Sequence, residues 1–370
     1  MSDIHDEQSA PTKASRSRGA RNPLVWGLNL LLSAAFLGAL VFAAAFWYGS
    51  QRFDAPGPLA EATTFTVPQG ASFRSIASDL AEAKIIEAPG PLRIFTRGVT
   101  ASGKGRDLQA GEFAFSPGMS MRDVMNVLTE GRAIEYRITL PEGLTSYQMI
   151  ERITFHPDLS GQVDIIPAEG TMRPDTYLFP RGYDRQKLVE RIVSAQRDVL
   201  LKAWENRDPQ VPLSSPQELL TLASIVEKET GVGSERAHVA GVFTNRLKKG
   251  MRLQTDPTII YGIWGGKGKP KDRGGLRRSE IDRKTDYNTY QIDGLPPGPI
   301  ANPGEAALLA AANPMETEDL YFVADGTGGH AFAATLDGHN ANVAKWRKIE
   351  AERARALEAL TSESNTDAGD

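Results

Sequence analysis

The longest apolar run in the chain fills residues 24–48. It holds no charged side chain and is mostly Leu, Ala, Val and Phe. About 20 such residues cross the hydrocarbon core of a bilayer as a helix. Apolar positions then thin out over residues 49–62, where Pro56, Gly57 and Pro58 predict a short linker. From Thr64 onward, Phe65 and Val67 alternate with polar residues, the period of a strand. A second pattern then recurs three times. Gly70-Ala-Ser72 precedes Ile76 and Leu80, Gly118-Met-Ser120 precedes Val124 and Leu128, and Gly143-Leu-Thr145 precedes Met149 and Ile153. Each copy reads as a tight turn, a Ser or Thr N-cap and an amphipathic helix. The spacing between copies is irregular, so they do not form a solenoid.

Residues 185–204 predict a charged amphipathic helix with one solvated face. The next helix, over 216–230, is the element around which the chain is organised. Ser215 is its N-cap, Pro216 fits the first turn, and Glu218 completes a capping box. Leu219, Leu222, Ala223 and Val226 form one apolar stripe. Ser234 is expected to cap another helix to about Lys248, with Ala240, Phe243 and Leu247 on one side and Gly250 closing it. Residues 252–262 look partly strand-like. The four prolines between Gly294 and Gly304 predict a rigid loop that shapes one cleft wall. Residues 341–360 predict a charged helix, and the last ten residues a polar, disordered tail.

Charge fixes the expected address. Lys13, Arg16, Arg18 and Arg21 precede the apolar run, and Trp26, Trp47 and Tyr48 lie near its ends. That pattern predicts a cytoplasmic N-terminus and an exported remainder. Ala43-Ala44-Ala45 lies inside the run, not after it, so an uncleaved anchor is expected instead of a signal peptide. A net charge of −4 over 370 residues argues against a general nucleic-acid binder. The absence of cysteine excludes disulfides, thiolate nucleophiles and Cys-ligated metals. Neither Gly-x-Ser-x-Gly nor Ser-x-x-Lys occurs, so no serine nucleophile is visible. His5, His156, His238, His330 and His339 form no His-Glu-x-x-His, and neither a metal nor a cofactor is expected. Residues 265–278 are rich in Gly, Lys and Arg but lack Gly-Lys-Ser/Thr, which leaves a flexible basic loop and no P-loop.

Two carboxylates, Glu227 and Glu229, sit in the last turn of the 216–230 helix. Residues two apart on a helix do not face each other, so they cannot flank one bond as an acid–base pair. The helical wheel places them on opposite borders of the stripe and does not say which is chemical. Border glutamates on a surface helix are the ordinary case. Here they also meet the negative pole of the helix dipole, which raises their pKa slightly.

Several longer blocks occur in a fixed order. They are Leu222-Ala-Ser-Ile-Val-Glu-Lys-Glu229, Asn245-Arg-Leu247, Met251-Arg-Leu-Gln-Thr-Asp-Pro-Thr-Ile-Ile-Tyr261, Tyr287-Asn-Thr-Tyr290, Gly294 to Gly304, and Tyr321-Phe-Val-Ala-Asp-Gly with His330 and Phe332 beyond. Gly170-Thr-Met-Arg-Pro-Asp-Thr-Tyr-Leu-Phe179 belongs to the same series. With them, most of the chain after the apolar run resembles the MltG-like (YceG-like) endolytic murein transglycosylases. The resemblance implies that Glu227 is catalytic. Within the matching blocks, Asn245, Gln254, Asp256, Tyr261, Tyr287, Asn288 and Tyr290 are the candidates for substrate binding. Each has an ordinary alternative, as with Asp256 before Pro257, which is also a turn signal. Asp175 and Tyr177 either line a cleft or pack a turn.

The first two capped-helix copies resemble LysM-like units, which bind N-acetylglucosamine-containing glycans. Helices packed on a small sheet without a ligand are the other reading. The expected fold is therefore α+β. It comprises a basic cytoplasmic tail (1–22), a transmembrane helix (23–48), a linker (49–62), a LysM-like module (63–135), a mixed α+β catalytic domain (136–345) and a charged helix with tail (346–370).

The implied activity is endolytic cleavage of the MurNAc–GlcNAc bond in nascent glycan strands, leaving 1,6-anhydroMurNAc ends and terminating elongation. Such a reaction needs one carboxyl group, because the sugar's own 6-hydroxyl attacks at high effective molarity. A raised pKa from partial burial beside Leu220 and Ala223 would suit Glu227 to it. The implied partners are glycan strands, the bilayer through residues 24–48 and peptidoglycan synthases. The expected location is the inner membrane with the catalytic domain in the periplasm. Two rivals stay open: a non-catalytic glycan-binding scaffold, and a water-using muramidase with Asp256 as second carboxylate.

Overall fold

A computed structural model describes residues 23–68, 70–87, 90–103 and 107–366. The basic tail 1–22 and residues 367–370 lie outside the described residues. The chain divides into two compact units, Met1–Ile134 and Glu135–Asp370.

The first unit begins with helix α1, Pro23–Asp54. By length and composition it can cross a membrane. It runs six residues past the expected end at 48, so the linker is shorter than 49–62. Nothing in Gln51-Arg-Phe-Asp54 breaks a helix before Pro56. Phe53 rewards the extension, since its ring is buried against Phe95 and the open face of Gly98. Strand β1 (Thr63–Val67), helices α2 (Phe73–Glu82) and α3 (Gly90–Ala101), strand β2 (Gly111–Phe115) and helix α4 (Met121–Glu130) complete the unit. β1 and β2 pair antiparallel, from Thr63 opposite Phe115 to Val67 opposite Gly111. Ile76, Leu80, Phe95, Phe113, Val124 and Leu128 fill the core.

The second unit opens with strand β3 (Glu135–Leu140) and helix α5 (Ser146–Thr154). Strands β4 (Leu159–Ser160), β5 (Asp175–Pro180) and β6 (Tyr183–Asp184) come next, then helix α6 (Arg185–Glu205), which Asp184 caps. β3 pairs antiparallel with β5, and β4 parallel with β6. Asp175 and Tyr177 thus lie in a strand, with Tyr177 buried and its hydroxyl donating to the Arg173 carbonyl. The remainder is largely helical: α7 (Pro216–Glu229), α8 (Arg236–Lys248), α9 (Asp256–Trp264), the short α10 (Arg278–Ile281) and α11 (Glu305–Ala312). Antiparallel strands β7 (Tyr321–Ala324) and β8 (His330–Ala333) and helix α12 (Leu336–Thr366) end it.

The three Gly-x-Ser/Thr copies do form capped helices. Gly70, Gly118 and Gly143 all have φ between 71° and 77°. Ser72, Ser120 and Thr145 each accept the N–H three residues on, and the last two close full capping boxes. Four expectations change. Glu218 reaches Ser214 N–H at 2.6 Å instead of closing a box on Ser215. Ser234 sits in a 3-10 turn and caps nothing with its side chain; α8 starts two residues later. Residues 256–264 are helical, not strand-like, because Pro257 near the helix start outweighs the β-branched Thr258, Ile259 and Ile260. The C-terminal helix extends to Thr366, well into the expected disordered tail.

α7 also differs from a surface helix. Every residue from Leu219 to Val226 is buried. It packs on α6, α8, α9 and α11, so it is the axis of the second unit's main core.

Candidate functional site

Glu227 emerges where α7 leaves that core. Its side chain keeps only 6% of its surface exposed, so water solvates it poorly. Burial pushes its carboxyl above the ordinary carboxylate range, and the nearby Glu142 charge adds to the rise. The Gly304 N–H, Arg236 and Lys228 oppose it. Gly304 N donates to Glu227 Oε2 at 3.0 Å. Gly304 is the N-cap of α11, so the positive pole of that helix also points at the carboxyl.

The proline-rich loop delivers this N–H because it is fastened on three sides. Ile300 N donates to Ser224 Oγ on α7 at 3.0 Å. The buried Gln196 of α6 donates to the Pro303 carbonyl at 3.1 Å and to the Gly170 carbonyl at 3.2 Å. Asn302, fully buried, accepts Met172 N–H at 2.8 Å and donates to the Leu144 carbonyl at 3.0 Å, with Glu169 and Ser146 also in reach. The prolines thus shape the wall beside Glu227 by placing one backbone donor.

Two further charges complete the surroundings. Arg236, at the start of α8, lies 3.6 Å from Glu142 and 4.0 Å from Glu227. Glu142 is half-exposed and lies against Gly304, where any side chain would collide with its carboxylate. Gly143 packs against the Glu227 side chain, and its carbonyl accepts Lys228 Nζ at 3.2 Å. The resulting group is one desolvated carboxyl, held by one N–H, beside an exposed carboxylate and a shared guanidinium. A carboxyl whose pKa is raised in this way can donate a proton to a leaving oxygen and take one back.

Glu229 has a different role. It is also pushed up by burial, but the Thr255 hydroxyl donates to it and ties α7 to the start of α9.

The remaining candidates divide. Asn288 is fully buried, and its amide donates to the Ile281 and Arg283 carbonyls, so it offers nothing to a sugar. Asn245 donates to the Thr317 and Asp319 carbonyls and fastens α8 to the segment before β7. Asp256 accepts the Tyr290 hydroxyl at 2.9 Å, and its charge acts on Glu229. It is therefore not the carboxylate beside Glu227; Glu142 is. Gln254 is exposed, at φ 53°, a conformation that non-glycine residues seldom adopt. Tyr261 and Tyr287 pack together with ring centroids 4.9 Å apart and stay partly exposed. Tyr261 hydrogen-bonds Glu169, whose carboxyl burial pushes up while the Ser146 N–H opposes it.

Glu142, Glu169, Arg236 and Gly304 were not among the sequence candidates. Glu142 and Gly304 lie inside or beside capped-turn and proline-rich blocks, yet nothing local marks them, since their partners are distant in sequence. Among the described residues, no cluster of three or more His, Asp or Glu is placed to hold a metal. A cavity of about 410 Å³ lies at the other end of α7, beside Ser214, Gln217 and Pro296, away from Glu227.

The family model described as YceG-like matches residues 65–345. A Bacillus subtilis (strain 168) protein named endolytic murein transglycosylase is 32% identical over 333 residues, spanning 81% of this chain and 89% of its own length. A protein of the same name from Streptococcus pneumoniae serotype 2 is 28% identical over 76% of this chain. This chain matches 58% of that streptococcal relative's length. A crystal structure of a yceG-like protein from Listeria monocytogenes is 29% identical, with a TM-score of 0.45, covering 76% of this chain and 99% of that one.

Proposed function

Because the chain belongs to the YceG-like family, we propose that it is an endolytic lytic transglycosylase of peptidoglycan. It cleaves the MurNAc–GlcNAc bond within glycan strands, leaves 1,6-anhydroMurNAc ends and so terminates strand elongation. The observation that carries this reading is the desolvated Glu227 carboxyl beside the Gly304 N–H. Glu227 protonates the glycosidic oxygen as the bond breaks. It then accepts the proton of the muramoyl 6-hydroxyl as that oxygen closes on the anomeric carbon. The nucleophile belongs to the substrate, so one enzyme carboxyl serves both steps. Tyr261 and Tyr287 are the best-placed of the sugar-binding candidates, because they keep exposed ring surface near Glu169.

The Glu142 carboxylate supports a second reading, hydrolysis by water. Glycosidases that use water usually need two carboxylates, and Glu142 stands nearer to that role than Asp256. Products formed in labelled water separate the two.

Under the transglycosylase reading Glu142 has a pH signature. An acid catalyst works only while protonated, so activity falls as pH rises through the Glu227 pKa. The Glu142 charge disfavours the Glu227 anion and raises that pKa. It also draws on Arg236, which otherwise lowers it. In Glu142→Gln both effects act in one direction, and the alkaline limb of the rate profile should move to lower pH. A limb that stays or moves up would show that Glu142 does not tune the acid.

The proposed setting is the inner membrane, with the N-terminus in the cytoplasm and the chain after α1 in the periplasm. Support comes from the uncharged apolar stretch of α1 and the basic residues before it. A reporter active only after export, fused after residue 62, should be active. Activity of a cytoplasm-only reporter at that junction would reverse the orientation. The first unit, with its capped helices on a two-stranded sheet, is proposed to guide glycan as a LysM-like module, and synthases are proposed as neighbours at the membrane.

A further inference from the structure

Residues 264–284 hold eight lysines and arginines against three acidic residues, in a chain of net charge −4. Two of the three acids are spent within the segment. Glu280 is buried, accepts the Arg277 N–H at 2.8 Å and pairs with Arg273 at 2.5 Å. Asp282 pairs with Arg278 at 2.9 Å. Lys267, Lys271, Arg277, Arg283 and Lys284 are exposed.

The segment is fastened near the acid site. The Arg273 guanidinium lies 5.4 Å over the Trp264 ring. The Thr145 hydroxyl donates to the Gly266 carbonyl, and the Lys267 ammonium lies 5.7 Å from the Tyr147 ring. Gly143, which packs against Glu227, precedes Thr145 by two residues. Two residues span at most about 7 Å of chain. The start of the cationic segment therefore lies within roughly 15 Å of the Glu227 side chain.

We propose that residues 264–284 dock the carboxylates of the stem peptide carried by the muramoyl residue being cleaved, so that peptide-bearing strands are preferred over bare glycan. The proposal rests on the transglycosylase reading and names the substrate form for it. The stem peptide leaves the reacting sugar itself, through its lactyl group, so its carboxylates lie a short distance from the bond that breaks. Lysine and arginine suit carboxylates, and a cluster of exposed ones acts at a distance that salt can screen. The peptide is remote from the reacting bond and binds alike in ground and transition states. Its contacts therefore appear in KM and leave kcat alone.

The test compares the full chain with a triple variant, Lys267→Gln, Lys271→Gln and Arg277→Gln. Substrates are peptide-bearing strands and the same strands stripped of peptide by an amidase. At low salt the variant should show a KM roughly tenfold higher on peptide-bearing strands, with kcat unchanged and no change on stripped strands. High salt should erase the parent's preference. Equal KM values of the parent on both substrates, or an equal loss on both in the variant, would overturn the proposal. If neither substrate yields anhydro ends, it is the catalytic reading that fails. Direct binding of the two strand types to parent and variant then decides the docking site by the same comparison.

Discussion

Glu227→Gln should lower the release of anhydro-ended fragments by about four orders of magnitude while the melting temperature shifts by only a few degrees. General acid–base catalysis typically contributes roughly 10²–10⁴-fold, and a residue that serves as both acid and base belongs at the upper end. The amide keeps the shape of the carboxyl, and its oxygen can still accept the Gly304 N–H. It cannot carry the proton. The fold should tolerate it, because burial already disfavours the charged form of Glu227. Glu229→Gln is the matched control. Its amide oxygen can still accept the Thr255 hydroxyl, so less than a tenfold loss is expected. Digestion of purified strands followed by mass spectrometry reads both variants. Retained cleavage in Glu227→Gln would remove Glu227 as the catalyst. Incorporation of oxygen from labelled water in the parent's products would replace the transglycosylase mechanism with hydrolysis.

Asn302→Ala should give the largest loss of stability. The side chain is fully buried and links the proline-rich loop to the Leu144 carbonyl and the Met172 N–H. Alanine leaves the buried Met172 N–H without a partner, at about 1–3 kcal/mol, and Glu169 loses a donor, whereas the Leu144 carbonyl keeps the backbone N–H of residue 302 at 2.8 Å. A total of about 2–4 kcal/mol corresponds to a melting temperature roughly 8 °C lower. Activity should fall with it, because Gly304 comes only two residues later. A melting temperature within about 2 °C of the parent, with full activity, would show that the loop is held without Asn302.

Local chemistry made much of the fold legible. The Gly-x-Ser/Thr copies, the Ser215 cap and the α7 stripe arise from spacing and turn residues, and they stand where expected. Two of the misreadings arise where local signals compete or where a contact distant in sequence decides. Pro257 and the β-branched residues after it point in opposite directions, and the proline prevails. Gln51 to Asp54 reads as the start of a linker until Phe53 finds a buried place.

The site was less legible. Glu227 drew notice through the blocks around it, and its two-residue offset from Glu229 left the two undecided on a wheel. Its surroundings come from 85 residues earlier in Glu142 and 77 residues later in Gly304, separations no periodicity reports. Asn245 and Asn288 misled for the opposite reason. A polar side chain inside a matching block looks like a ligand, yet buried backbone carbonyls claim such amides first.

The continuity of α1 carries a mechanical consequence. The helix passes from its apolar stretch to Asp54 without a break, and Phe53 and the Asp54–Arg122 pair clamp its end to the first unit. The first unit is therefore geared to the helix, not tethered to it. Each residue inserted between Tyr48 and Phe53 would lift that unit by about 1.5 Å and turn it by about 100°. Two extra residues would swing it to nearly the opposite side of the shaft, whereas seven would raise it about 10 Å and return it to almost the same heading. With the apolar stretch of α1 seated in a bilayer, height above it and compass direction would be set together by a single length of helix.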